Sequence, residues 1–317
     1  MGLRRRTRHP YVQSEPERSG SVKPRRRQNV ASYVALIPAF IIVVCAYLGT
    51  MLWTVQISFT DSKLLPSMNF IGIRQYERLF TTSRWIISLE NMVIFGIGLI
   101  LVCLVLGFLM AAALDQKIRF ENTFRTIFLY PYAMSFIVTG LAWQWILNPT
   151  LGVQQYVRNL GWTDFRFDWI VQNDKAIYVV IIAGVWQASG LVMALMLAGL
   201  RGIDQELWKA ARVDGIPAWR VYLNIIVPMM RPTIITSVVL LSLAVVRVYD
   251  LVIALTGGGP GISSEVPAKF ILDYLFGRSN IGLATAASSV LLVIVLVIIT
   301  PWLYYEYFRP ERAKGGK

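Results

Sequence analysis

Histidine occurs once and cysteine twice among 317 residues. His9 lies in a polar N-terminal stretch, and Cys45 and Cys103 fall inside apolar runs with no CxxC spacing. Such a set offers no zinc site, no haem attachment and no disulfide framework. Both cysteines read as small buried hydrophobes. Charge is also scarce, at 15% of residues, where a soluble globular chain carries about 25%. Hydrophobic residues make up 56% and mean hydropathy is +0.55. Too little polar surface remains to coat a water-soluble particle, so the apolar excess must face a bilayer. There is no GxxxxGK[ST] stretch to cradle nucleotide phosphates. Carboxylates inside apolar runs are limited to Asp250, where a proton relay needs several. Neither a catalytic constellation nor a metal-ligand set is present, so the chain reads as a non-enzyme binding no cofactor of its own.

What is present is six long apolar stretches, near 33–58, 92–114, 126–147, 176–200, 225–255 and 283–305. Each approaches the ~20 residues a helix needs to cross ~30 Å of hydrocarbon. The third is interrupted by Pro131 and Gln144, and the fifth is long and contains Arg247 and Asp250. The reading is an all-α integral membrane protein of six transmembrane helices. A basic polar tail at 1–30 and a short tail at 309–317 flank a membrane domain at 31–308, and no internal repeat is apparent. The net charge of +13 does not imply nucleic acid, because nine Lys/Arg lie in the first 27 residues and most others flank apolar runs. Twenty basic residues collect on one side of the spans and nine on the other, which by the positive-inside rule places both termini in the cytoplasm. Trp85 and Trp169 mark the outer border, and Trp302, Tyr304, Tyr305 and Tyr307 the inner one.

The cytoplasmic segment RGIDQELWKAARVDGIPAWRVYLNIIVP (201–228) is the most informative. Leu207, Ala210, Ala211 and Val213–Asp214 recur at helical spacing, Gly215 and Pro217 break the pattern, and a second turn runs through Trp219 and Val221. A helix–glycine–helix too short and polar to span fits a docking element. It fits a structural interfacial helix equally well, and the residues alone leave both open. Near the far end, TGGGPG (256–261) reads as a helix stop and tight turn. Arg247 and Asp250, three apart on one helix, can pair. They serve either as a scaffold lock or as the lining of a polar path. With so few membrane carboxylates, the chain reads as a path that takes its energy from a partner. An ion-coupled secondary carrier is the alternative, and it would need an ion site and often inverted repeats.

The segment resembles the EAA motif of ABC importer permeases: Glu-Ala-Ala, three residues, Gly, nine residues, Ile, one residue, Leu-Pro. Ala210, Ala211, Gly215, Ile225 and Pro228 match in type and spacing. Lys209 stands where the motif has Glu, and Val227 where it has Leu. NFIGIRQYERLF (69–80), FRTIFLYPYAMS (124–135), WQWILNPTLG (143–152), YDLVIALTGGGP (249–260) and IGLATAASSVLLVI (281–294) resemble, in order, the sugar-importing branch similar to the maltose and glycerol-phosphate systems. KAARVDGIPAWR and the GGGPGISSEVPAKF loop are most similar to glucose/mannose-type and small-glycoside permeases.

The resemblance implies the ABC type I importer permease fold in a bacterial inner membrane. It implies a second permease subunit, usually different from this one, two ATPase subunits that bind ATP and Mg, and an extracytoplasmic sugar-binding protein. Within cytoplasmic loop 201–224, Glu206, Lys209, Ala210, Ala211, Asp214 and Gly215 would contact the ATPase. Asp250 fits the family's usual aspartate ahead of the glycine loop, whereas Arg247 lies outside the general pattern and joins it on chemistry alone. With Tyr249 they are expected to line the sugar path, and Gly257, Gly258, Gly259 and Pro260 would face the binding protein.

Overall fold

The computed structural model describes residues 27–116 and 118–308. Residues 1–26 of the expected tail at 1–30, and the whole expected tail at 309–317, therefore lie outside the described residues. Residues 27–51 and 52–308 group as two separate units.

The first helix, α1 (Arg27–Val43), begins inside the segment read as tail. It continues through a π turn (Val44–Gly49) into α2 (Thr50–Ile57). Ala35–Ile57 is long and apolar enough to cross a membrane. Cys45 on it is exposed, against the expectation of a buried thiol.

In the second unit, α3 (Arg74–Thr81) leads directly into the 33-residue α4 (Ser83–Asp115). At 1.5 Å per residue α4 is about 50 Å long and starts well before the apolar run expected from residue 92. Hydropathy misses these turns because their polar residues are satisfied by distant partners. Asn91 donates to the Glu265 carbonyl, and Arg84 pairs with the Glu265 carboxylate. Trp85, expected at the membrane border, is instead fully buried, its ring 5.2 Å from Phe270.

The third expected span is two helices, α5 (Glu121–Ala133) and α6 (Phe136–Ile146), bent by 98°. Met134 and Ser135 are extended, and the Ser135 hydroxyl caps α6 by accepting from the Val138 amide. Backbone groups freed at membrane depth need partners inside the protein. Here Gln187 donates to the Met134 carbonyl at 2.8 Å. A short α7 (Val153–Asn159) precedes α8 (Ala176–Arg201), which carries Gln187.

α4 and α8 run parallel and form the centre of the fold. Phe95, Leu99, Met193 and Met196 are buried between and around them. Lipid is as apolar as leucine, so close packing rather than water exclusion must hold such helices together. A β-carbon at Gly190 would lie 2.0 Å from the Phe128 carbonyl oxygen, so α5 can lie on α8 only if that position is bare.

Next come α9 (Gln205–Val213), α10 (Ala218–Val221), a π turn (Tyr222–Ile226) and α11 (Val227–Met229). A 69° bend at Met230 then separates them from α12 (Arg231–Val246). Pro228 and Pro232 flank it and deny the backbone two helical donors. α13 (Tyr249–Leu255), α14 (Pro267–Leu272) and α15 (Ile281–Phe308) complete the chain. Among the described residues four helical stretches are long and apolar enough to cross a membrane, or up to six if each bent pair counts as one. Among the described residues the only β pairing is the isolated bridge Thr60–Phe70.

Candidate functional site

α9 is a short helix with both ends fixed locally. Asp204 caps its start by accepting from the Glu206 amide at 2.9 Å. At its end Ile216 N–H donates to the Ala211 carbonyl (3.1 Å) and Gly215 N–H to the Arg212 carbonyl (3.2 Å). These are the two bonds of a Schellman stop, which needs a left-handed residue after the helix. Gly215, at φ +67°, supplies it. A β-carbon there would meet no neighbour, so the requirement is conformational and not one of space. Pro217 then opens α10.

The faces of α9 differ from the sequence expectation at one position. Ala211 is buried within its own chain, and Leu207 and Trp208 pack beside it. Trp208 meets Tyr222 edge-on at 5.2 Å, and Tyr222 meets Phe108 of α4 at 6.0 Å. Ala211 therefore holds α9 to its own bundle, and the opposite face of the helix points outward. That face carries Glu206, Ala210 and Val213, the last 88% exposed, with Asp214 beyond the helix end. Lys209 is exposed on the flank.

At membrane depth the fifth stretch is broken a second time. Arg247 and Val248 lie outside regular helix between α12 and α13, and the Tyr249 amide turns back to the Arg247 carbonyl at 2.7 Å. Arg247 and Asp250 are thus not three apart on one helix face. Neither is in any ion pair among the described residues. Both are exposed on this single chain, with Tyr249 half-buried between them. The expected scaffold pair does not form. Irregular backbone with free charge at this depth is tolerated only against protein or water.

The end of the fold opposite α9 is built around a salt-bridge cluster. The fully buried Glu265 carboxylate accepts from Arg84 Nε through both oxygens, at 2.8 and 2.7 Å. Arg84 also bonds Asp273, and Lys269 reaches Asp273 at 2.8 Å. Phe270 and Tyr274 each lie 5.9 Å from the Arg84 guanidinium. Burial works to raise the Asp273 pKa, but hydrogen bonds from Lys269 and Arg84 outweigh it and hold the carboxyl below its ordinary range. This clamp fixes the glycine turn. Ser264 accepts or donates with Thr256 at 2.7 Å and donates to the Gly259 carbonyl, while Gly257, Gly258 and Gly261 all take positive φ. Gly257 is exposed, Gly259 and Pro260 are half-buried, and Gly258 is buried.

Sequence reading missed the clamp. The i,i+4 spacing of Lys269 and Asp273 was visible, but the Arg84–Glu265 partnership spans 181 residues and leaves no local signal. Among the described residues, no three His, Cys, Asp or Glu gather as a metal site.

A family model described as binding-protein-dependent transport system inner membrane component matches residues 104–309. A protein of Pyrococcus horikoshii named as a probable ABC transporter permease is 35% identical over 279 residues, covering 87% of this chain and 96% of that one. A xylose/arabinose import permease protein of Haloferax volcanii is 32% identical over 275 residues, covering 86% of each. A bacterial alginate ABC transporter, solved with its alginate pentasaccharide-bound periplasmic protein, contains a chain similar in fold. It has a TM-score of 0.76 at 21% identity, covering 92% of this chain and 98% of that one. A helical membrane bundle carrying a capped helix–glycine–helix at one end therefore has its family: the chain belongs to the binding-protein-dependent transport system inner membrane components, the permease subunits of ABC importers.

Proposed function

We propose that this permease carries a sugar or small glycoside, and that α9–Gly215–α10 couples it to ATP hydrolysed by two partner ATPase subunits. One observation carries the reading. A rigid, locally capped helix presents Glu206, Ala210 and Val213 outward from a chain with no phosphate-binding loop of its own. A docked ATPase would move such an element as a lever, because its ends are hydrogen-bonded and its inner face is packed. The xylose/arabinose relative supports a sugar as cargo.

Arg247, Tyr249 and Asp250 would line the path, facing a second, different permease or the wet cavity between the two. Charged donors and acceptors suit hydroxyl-rich cargo. Gly257, Gly258, Gly259 and Pro260 would sit on the side that receives the extracytoplasmic binding protein. The chain itself would bind no cofactor, and ATP and Mg would belong to the ATPases. The basic-residue asymmetry supports a cytoplasmic location for α9 and both termini.

The test is uptake of radiolabelled sugar by vesicles holding the complete complex and supplied with binding protein. Uptake should require ATP on the α9 side. An ion gradient that drives uptake without ATP would overturn the coupling role.

A further inference from the structure

Beside α9 lies an open cleft of about 880 Å³, bounded by the ends of α4 and α8 and by the α9 flank. Its acids are already engaged. Arg201 binds Glu121 at 2.7 Å and lies 3.7 Å from Asp115, and Arg125 also binds Glu121. Its remaining cations are free: Lys209 and Arg212 are exposed, and their side chains make no ion pair or hydrogen bond among the described residues. Asp115 and Arg201 are the terminal residues of two membrane-crossing helices, so the cleft sits where spans end and headgroups begin. Trp208 and Tyr222 line it, as aromatics do at that depth.

We propose that this cleft binds the phosphate-bearing headgroup of an anionic phospholipid through Lys209 and Arg212. Basic pockets between helix ends on the cytoplasmic side suit such headgroups. The volume exceeds what a free phosphate ion fills, and the cleft is lined by the last residues of two candidate spans, the depth at which lipid headgroups lie. The site lies on the 205/209/212 flank of α9, beside the 206/210/213 face proposed for the ATPase, and it assigns to lipid Lys209, which the motif resemblance places at the ATPase contact. The proposal takes its leaflet from the orientation above, but lipid retention is measured without reference to sidedness, so the two readings fail separately.

The complete complex is purified in nanodiscs of equimolar phosphatidylglycerol and phosphatidylcholine, extracted, and its retained lipids are counted by native mass spectrometry. Phosphatidylglycerol should be retained preferentially. Lys209→Gln and Arg212→Gln should each cut that retention about fivefold, whereas Lys209→Arg and Arg220→Gln, the latter outside the cleft, should keep it. In unmodified complex, phosphatidylglycerol should also protect Lys209 from acylation, a measurement that needs no variant. No lipid preference, unchanged retention in the double Gln variant, or equal protection by excess inorganic phosphate would each overturn the proposal.

Discussion

Two residues carry opposite electrostatic assignments. Among the described residues Arg247 is a charge without an ion-pair partner, whereas Glu265 is a buried charge with a bidentate one. If Arg247 donates to sugar hydroxyls, Arg247→Ala should slow uptake about tenfold or more, the worth of a charged hydrogen bond, without loss of assembled complex. Failure to assemble, read by co-purification of the ATPases, would assign Arg247 to scaffolding. Glu265→Gln should instead lower thermal stability, because it strips Arg84 of its main partner. Breaking a buried pair from one side costs about 3–5 kcal/mol. Arg84→Met with Glu265→Leu should be milder than either single change, as a melting cycle of the four proteins would reveal. Asp273 adds a pH dependence. Its folded pKa lies below the unfolded one near 4, so its contribution is full above that value and lost as pH falls through the lower folded pKa. Melting followed from pH 6 downward should show an acid limb that Asp273→Asn flattens.

At the scale of elements, α9 separates two small residues that adjacent positions made alike. Ala210 faces outward and Ala211 inward, because successive helical residues differ by about 100°. Ala210→Trp should abolish ATP-driven uptake with the melting temperature unchanged, since it adds bulk only to the partner face. Ala211→Asp should lower the melting temperature, since it buries an unpaired charge in the chain's own core. Equal melting of the two variants would refute the assigned faces. The helix–glycine–helix itself was legible in the sequence because Gly215 and Pro217 act locally. Which alanine packed inward was not, since that depends on where α4 places Phe108 and the π turn after α10 places Tyr222.

At the scale of the molecule, sidedness is the testable property. The clamp end and the α9 end lie at opposite ends of the spans, because Arg84 opens α4 and Asp115 closes it. Cysteines introduced at Asn69 and Thr163, both exposed, should react with an impermeant maleimide in sealed cells, and one at Lys209 should not. The Ser67 and Ser263 hydroxyls are buried, which makes those loop positions poor reporters. Labelling of Lys209→Cys from outside would invert the orientation.

Composition and hydrophobic run length by themselves determined a helical membrane chain, of six spans if each bent pair counts as one, and the helix stop at Gly215, because each rests on local physics. Hydropathy averages over a window, so it counted the third and fifth spans without detecting their 98° and 69° bends. Tertiary structure alone decided what depends on distant partners. Gln187 satisfies the α5–α6 break, Arg84 meets Glu265 across 181 residues, and Arg247 and Asp250 are held apart. A charge in a sequence has no partner until the chain has folded, and these assignments are made only then.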